Sequence, residues 1–148
     1  MTAEQVYADS SALGLLYLHQ PRSREMARWR GRLGGSLPVT HFGRTEIVNA
    51  IGLAVHRAGV TEEQALRLWD RLDADFVDGH LEQVHILWRA ALGRAAELSR
   101  RHTPRLGTRS FDVLHVACAL ELKRPYFLTF DERQQKLAKA IGLKLVKI

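Results

Sequence analysis

The stretch Ser110-Phe111-Asp112-Val113-Leu114-His115-Val116-Ala117-Cys118-Ala119-Leu120 decides how the rest of this 148-residue chain is read. Ser110 stands where a helix N-cap belongs, and a nearly unbroken apolar run follows it. A helix that is apolar around most of its circumference belongs in the interior. Asp112 lies in its first turn, where the helix N-terminus favours negative charge. The stretch therefore predicts a buried helix over residues 110–122 with a carboxylate at its mouth.

Segments C-terminal to this helix alternate in type. Residues 126–130, Tyr-Phe-Leu-Thr-Phe, form an aromatic and β-branched strand bounded by Pro125. Asp131-Glu132-Arg133-Gln134 has capping-box form and opens a helix to about residue 141, ended by Gly142. Residues 143–148 alternate apolar side chains with lysine, as edge strands do.

Working back towards the N-terminus, residues 102–109, with Pro104 and Gly107, read as a basic loop, and 86–101 as a helix with Leu87, Ala91, Ala95 and Leu98 inward. Residues 80–85 are a third strand candidate between helices, and Thr61-Glu62-Glu63-Gln64 is a capping box with Ala65, Trp69, Leu72 and Phe76 on the core face behind it. Thr45 opens a helix with Glu46 in its first turn and Ile47, Ile51, Ala54, Val55 and Ala58 on one stripe, closed by Gly59. Residues 37–41 are a short second strand, 22–33 a basic amphipathic helix, and 12–18 an apolar helix. Residues 5–9 are a strand ending in Asp9, followed at once by Ser10 and Ser11. Strands separated by helices throughout predict a three-layer α/β/α domain over residues 1–148, with a mainly parallel central sheet of about four to five strands.

Composition narrows the class. A chain with 46% hydrophobic and 26% charged residues is ordinary for a globular protein, and no stretch reaches the roughly 18 apolar residues of a membrane span. Glu4 stands where a signal peptide would carry basic charge, so a cytoplasmic location is expected. The single cysteine, Cys118, lies in the apolar run and reads as a core residue, which leaves no disulfide and no thiolate metal site. Net charge is +6. Arginines 22, 24, 28, 30, 32 and 44, and again 89, 94, 100, 101, 105 and 109, concentrate that charge in two segments suited to phosphate or to plain solvated faces.

Four acids fall at strand-to-helix junctions or helix starts: Asp9, Glu46, Asp112 and Asp131. In a parallel sheet, strand C-termini and helix N-termini share one edge, and ligands bind there. Each acid alone also suits a cap or the helix dipole. Together, two carboxylates about 4 Å apart repel by roughly 4 kcal/mol at an effective dielectric of 20, which favours a cation among them. An all-oxygen ligand set points to Mg²⁺ or Mn²⁺, which would activate water for attack on phosphorus. His115, three residues after Asp112, shares its helix face and reads as a packed or hydrogen-bonded side chain rather than a ligand.

Asp9-Ser10-Ser11-Ala12-Leu13, Thr45-Glu46-Ile47-Val48-Asn49-Ala50, Phe111 to Ala117, and Phe127-Leu128-Thr129-Phe130-Asp131 together resemble, in order and spacing, the four acidic motifs of PIN-domain nucleases. More narrowly, the chain resembles the VapC-type ribonuclease toxins of bacterial toxin–antitoxin pairs. The resemblance implies Mg²⁺- or Mn²⁺-dependent RNA cleavage, with Asp9, Glu46, Asp112 and Asp131 holding metal and positioning water. It implies that Ser11 and Thr129 support these carboxylates. It also implies a homodimer and a cognate antitoxin covering the acidic groove. Two other readings stand beside it. One is a haloacid-dehalogenase-type phosphatase with Asp9 as nucleophile, although Ser11 stands where that class carries a second acid. The other is a non-catalytic module that binds nucleic acid or a partner through its arginines.

Overall fold

A computed structural model describes all residues, Met1–Ile148. Its five strands are β1 (Val6–Ala8), β2 (Leu37–Thr40), β3 (Leu81–Val84), β4 (Tyr126–Leu128) and β5 (Lys144–Leu145). Its helices are α1 (Ser10–Gly14), α2 (Ser23–Gly31), α3 (His41–His56), α4 (Glu62–Val77), α5 (Trp88–Leu106), α6 (Ser110–Glu121) and α7 (Glu132–Ala140). Every strand pairing is parallel: β1 with β4, β4 with β5, and β2 with β3. β2 packs beside β1, so the strands lie in the order β3-β2-β1-β4-β5, but no hydrogen-bonded ladder joins β1 to β2. Pro38 accounts for part of this gap. Leu37 donates its N–H to His80 on the β3 side, so the next residue faces β1, and there proline has no N–H to give.

The three-layer α/β/α architecture follows from strand alternation. Val6 and Ala8 pack into one core with Leu37, Val39, Ile47, Ile51, Leu72 and Leu128. Tyr7, between them, points to the opposite face and joins Phe127 and the apolar side of α6 in a second core. Tyr7 stacks on Phe127 with ring centroids 5.7 Å apart and planes 3° from parallel, a contact worth about 1 kcal/mol beyond area burial.

The helix that organised the sequence reading is buried from Val113 through Ala119. It packs against α5 and α7. Cys118 is a core residue, and burial pushes its thiol up to about 11, away from the reactive thiolate.

Several boundaries differ from the sequence reading. Ser110 is the first helical residue; the cap position is Arg109, without a side-chain bond. α3 begins at His41, because the Thr40 hydroxyl accepts from the Gly43 N–H, and Glu46 therefore lies in the second turn rather than the first. The left-handed residue after α3 is Ala58, φ 58°, rather than Gly59. α1 stops at Gly14, where i→i+3 bonds from Leu15, Leu16 and Tyr17 tighten the chain into turns. α5 continues through the expected loop to Leu106 with Pro104 inside it, held by packing against α6, and ends where Gly107 at φ 65° donates to the Thr103 carbonyl. Leu87 precedes α5 as its cap and is 78% exposed, not inward. β4 ends at Leu128 and β5 spans only Lys144–Leu145. No helix is long and apolar enough to cross a membrane.

Candidate active site

The chain runs outward from β1 through β2 to β3, then returns to place β4 on the other side of β1. The strand order therefore reverses around β1, and the crevice beyond the strand C-termini at such a point is where α/β sheets bind ligands. Asp9 immediately follows β1 and caps α1. Its Oδ1 accepts from the Ala12 N–H at 2.9 Å, and its Oδ2 accepts from the Ser11 hydroxyl at 2.8 Å and the Thr129 hydroxyl at 3.1 Å. Asp9 is only 4% exposed. Burial raises its pKa above the ordinary carboxylate value, and the Ala12 N–H and the two hydroxyls recover part of that loss.

Thr129 couples this acid to the next. Its hydroxyl oxygen accepts from the Asp131 N–H at 3.1 Å while donating to Asp9. Asp131 is exposed and caps α7, with Oδ1 accepting from the Gln134 N–H at 2.8 Å. Gln134 in turn donates through Nε2 to the Asp112 carbonyl at 3.1 Å, tying the start of α7 to the first turn of α6. Asp112 is half-buried; burial raises its pKa, and the neighbouring Asp131 carboxylate raises it further. Both acids line a cleft of about 550 Å³ whose other walls are Arg109, Phe130, Glu132 and Arg133.

Glu46 is held differently. Its Oε1 accepts from the Ser10 hydroxyl at 2.8 Å and contacts His115 Nε2 at 2.6 Å, while Oε2 has no hydrogen bond within the protein. Burial alone would raise its pKa, but His115 and Ser10 outweigh burial and bring it below the ordinary value. Among the four acids, His115 bonds Glu46 alone.

Ser11 and Thr129 both donate to Asp9 Oδ2. Ser10, His115 and Tyr7 enter the site as residues the sequence reading did not assign to it. Only His115 carried a signal, its shared helix face with Asp112. The arginines divide. Arg30 is bonded to the carbonyls of Leu33, Gly35 and His80, Arg44 to Asp73, and Arg94 to Glu121; Arg109 lines the acidic cleft, as does Arg133, which also donates to the Gly107 carbonyl at 3.4 Å.

The donors are carboxylate oxygens, which suit a hard divalent cation, and the burial of Asp9 and Asp112 and the repulsion of Asp112 by Asp131 are the strains such a charge would relieve. Their placement is open rather than caged: no three His, Cys, Asp or Glu side chains are grouped as ligands of one ion. Asp131 keeps one oxygen on its cap and Glu46 one oxygen on His115 and Ser10, so each has a single oxygen to offer.

The model of the PIN domain matches residues 6–140. The chain belongs to the PIN-domain family. The matched span holds all four acids, both supporting hydroxyls and all four strands from β1 to β4. The PIN family is nuclease-like and broadly metal-dependent, which agrees with an all-carboxylate edge at the switch point of the sheet. No curated protein matches the chain.

Proposed function

We propose that this PIN domain is a metal-dependent endoribonuclease that hydrolyses RNA phosphodiesters, acting in the cytoplasm as the toxin of a type II toxin–antitoxin pair. The observation that carries the nuclease reading is Asp9, a buried carboxylate kept at the switch point of the sheet and linked through Thr129 to Asp131, which repels Asp112 beside it. A fold spends stability on buried, mutually repelling carboxylates where function uses their charge. Asp9, Asp112, Asp131 and the free Oε2 of Glu46 would hold Mg²⁺ or Mn²⁺. When bound, the cation supplies Lewis-acid activation of water and offsets charge at phosphorus.

The chain's own residues do the rest. Arg109 and Arg133 at the cleft would hold phosphate oxygens, contacts that position a backbone without reading bases. Hydrolysis forms one bond from water oxygen to phosphorus and breaks one phosphorus–oxygen ester bond. Ser11 and Thr129 keep Asp9 from turning away from the edge. The toxin role, the homodimer and an antitoxin segment lying over the acidic groove rest on the resemblance of the four motifs.

The test is to incubate purified protein with total RNA under Mn²⁺ and under EDTA, for wild type and Asp112→Asn. Cleavage in Mn²⁺, absent in EDTA and absent in the variant, is expected. RNA cut equally well by the variant, or bound but left intact at every metal concentration, would overturn the reading.

A further inference from the structure

His115 sits on α6 at 4% exposure, and its ring is bonded at both nitrogens. Nδ1 lies 2.8 Å from the Tyr7 hydroxyl on β1, and Nε2 lies 2.6 Å from Glu46 Oε1 on α3. The direction of the bonds follows from the ends of the chain. A phenol holds its proton at neutral pH, so the Tyr7 hydroxyl, 2.8 Å from Nδ1, has one to donate, and the Glu46 carboxylate has none. Tyr7 therefore donates to Nδ1, which places the ring proton on Nε2, and Nε2–H donates to the Glu46 carboxylate.

A second donor, the Ser10 hydroxyl, converges on the same Oε1 at 2.8 Å. Two donors on one oxygen fix the plane of a carboxylate and leave the other oxygen free. No protein group bonds Oε2. This is what an anchored ligand needs, because an outer residue that fixes one oxygen orients the other. It also explains why a polar, hydrogen-bonded ring occupies the apolar run of α6.

We propose that His115 is a positioning residue for Glu46, its tautomer set by Tyr7, so that Glu46 presents Oε2 towards the acidic edge. The inference rests on the reading of that edge as a divalent-cation site. Tyr7, His115 and Glu46 come from β1, α6 and α3, so the chain of bonds also ties both cores to the site. His115 does not touch substrate in this scheme; it acts through the carboxylate.

The experiment compares wild type, His115→Leu, His115→Gln and Glu46→Gln without RNA, reading Mn²⁺ affinity by water-proton relaxation beside thermal stability. Leucine fills the space but donates nothing, while the glutamine amide restores a donor near the position of Nε2. Leucine is expected to weaken Mn²⁺ binding about 10- to 100-fold, the usual effect of losing an outer-shell partner, and glutamine to recover most of it. Wild-type affinity in a folded His115→Leu variant would overturn the proposal. Because leucine at this buried position can also cost folding, the ¹⁵N shifts of the His115 ring in wild type give a second readout. A protonated Nε2 beside an unprotonated Nδ1 is expected, and an unprotonated Nε2 overturns the proposal. Glu46-dependent Mn²⁺ binding without RNA cleavage would remove the ribonuclease reading and leave this one standing; a wild type that takes up no Mn²⁺ removes both.

Discussion

The acidic edge has two sides, and they are built by different means. On the β1–β4 side, Asp9 and Asp131 are helix caps, each accepting from a backbone N–H three residues ahead, and Thr129 stitches them together. On the α3–α6 side, Glu46 caps nothing. It is held by Ser10 and His115, residues 36 and 69 positions away, and His115 by Tyr7 at a separation of 108. The outcomes differ as well: the first side keeps Asp9 buried with both oxygens engaged and its pKa raised, whereas the second lowers the pKa of Glu46 and leaves one oxygen free. Backbone capping gives rigidity at an acid; side-chain bonds to one oxygen alone give it an orientation.

The largest expected effect lies on the capped side. Asp9→Asn should reduce RNA cleavage by on the order of 10²–10³-fold or more, measured under saturating Mn²⁺, while leaving the fold intact. In metal-free protein the same change should stabilise relative to wild type as pH rises. Asp9 has a folded pKa above its unfolded one, so between those two values the folded state binds more protons. Wild-type stability is thus lost through that window, from about pH 4 upward, and the asparagine variant lacks this loss. Denaturant midpoints that show no such divergence with pH would mean that Asp9 is not strained by burial.

Thr129→Val probes the stitch between the two caps. It removes the donor to Asp9 and the acceptor for the Asp131 N–H, and should cost about 2 kcal/mol in urea denaturation together with a fall in cleavage. Tyr7→Phe is the matching change on the other side. It leaves the ring stack on Phe127 but deprives His115 Nδ1 of its donor, for about 1 kcal/mol of stability. If the valine change proves harmless while the phenylalanine change is severe, the assignment of rigidity to the capped side is wrong. The smallest effect belongs to neither side. Lys123 ends α6 at φ 55°, and Lys123→Gly should raise stability by about 0.5 kcal/mol without altering cleavage, which calibrates the other two.

The same contrast explains what the sequence made legible. Asp131 before Glu132-Arg133-Gln134 announces a cap because the N–H it serves is three residues away. The apolar run from Val113 to Ala119 announces burial because composition alone makes α6 an interior helix. Ser11 and Thr129 are legible only through motif resemblance, since nothing local ties residue 129 to residue 9. Glu46 lies in the second turn, not the first that the sequence predicts, because Thr40, not Thr45, caps α3, and a hydroxyl's choice between two frames depends on where β2 ends. The extension of α5 through Pro104 was hidden for a related reason: packing on α6 overrides the local cost of proline. Tyr7 looked like any strand aromatic, and its bond to His115 exists only once β1 and α6 are packed.

We propose that Asp9, Glu46, Asp112 and Asp131 hold a divalent cation between them. Anomalous scattering from Mn²⁺ in crystals of the wild-type protein tests it most directly. The account predicts a peak at the edge beyond β1 and β4, contacted by Asp9 and by Glu46 Oε2, with Asp112 and Asp131 drawn towards it. Protein that cleaves RNA while its crystals show manganese elsewhere, or none at this edge, would contradict it.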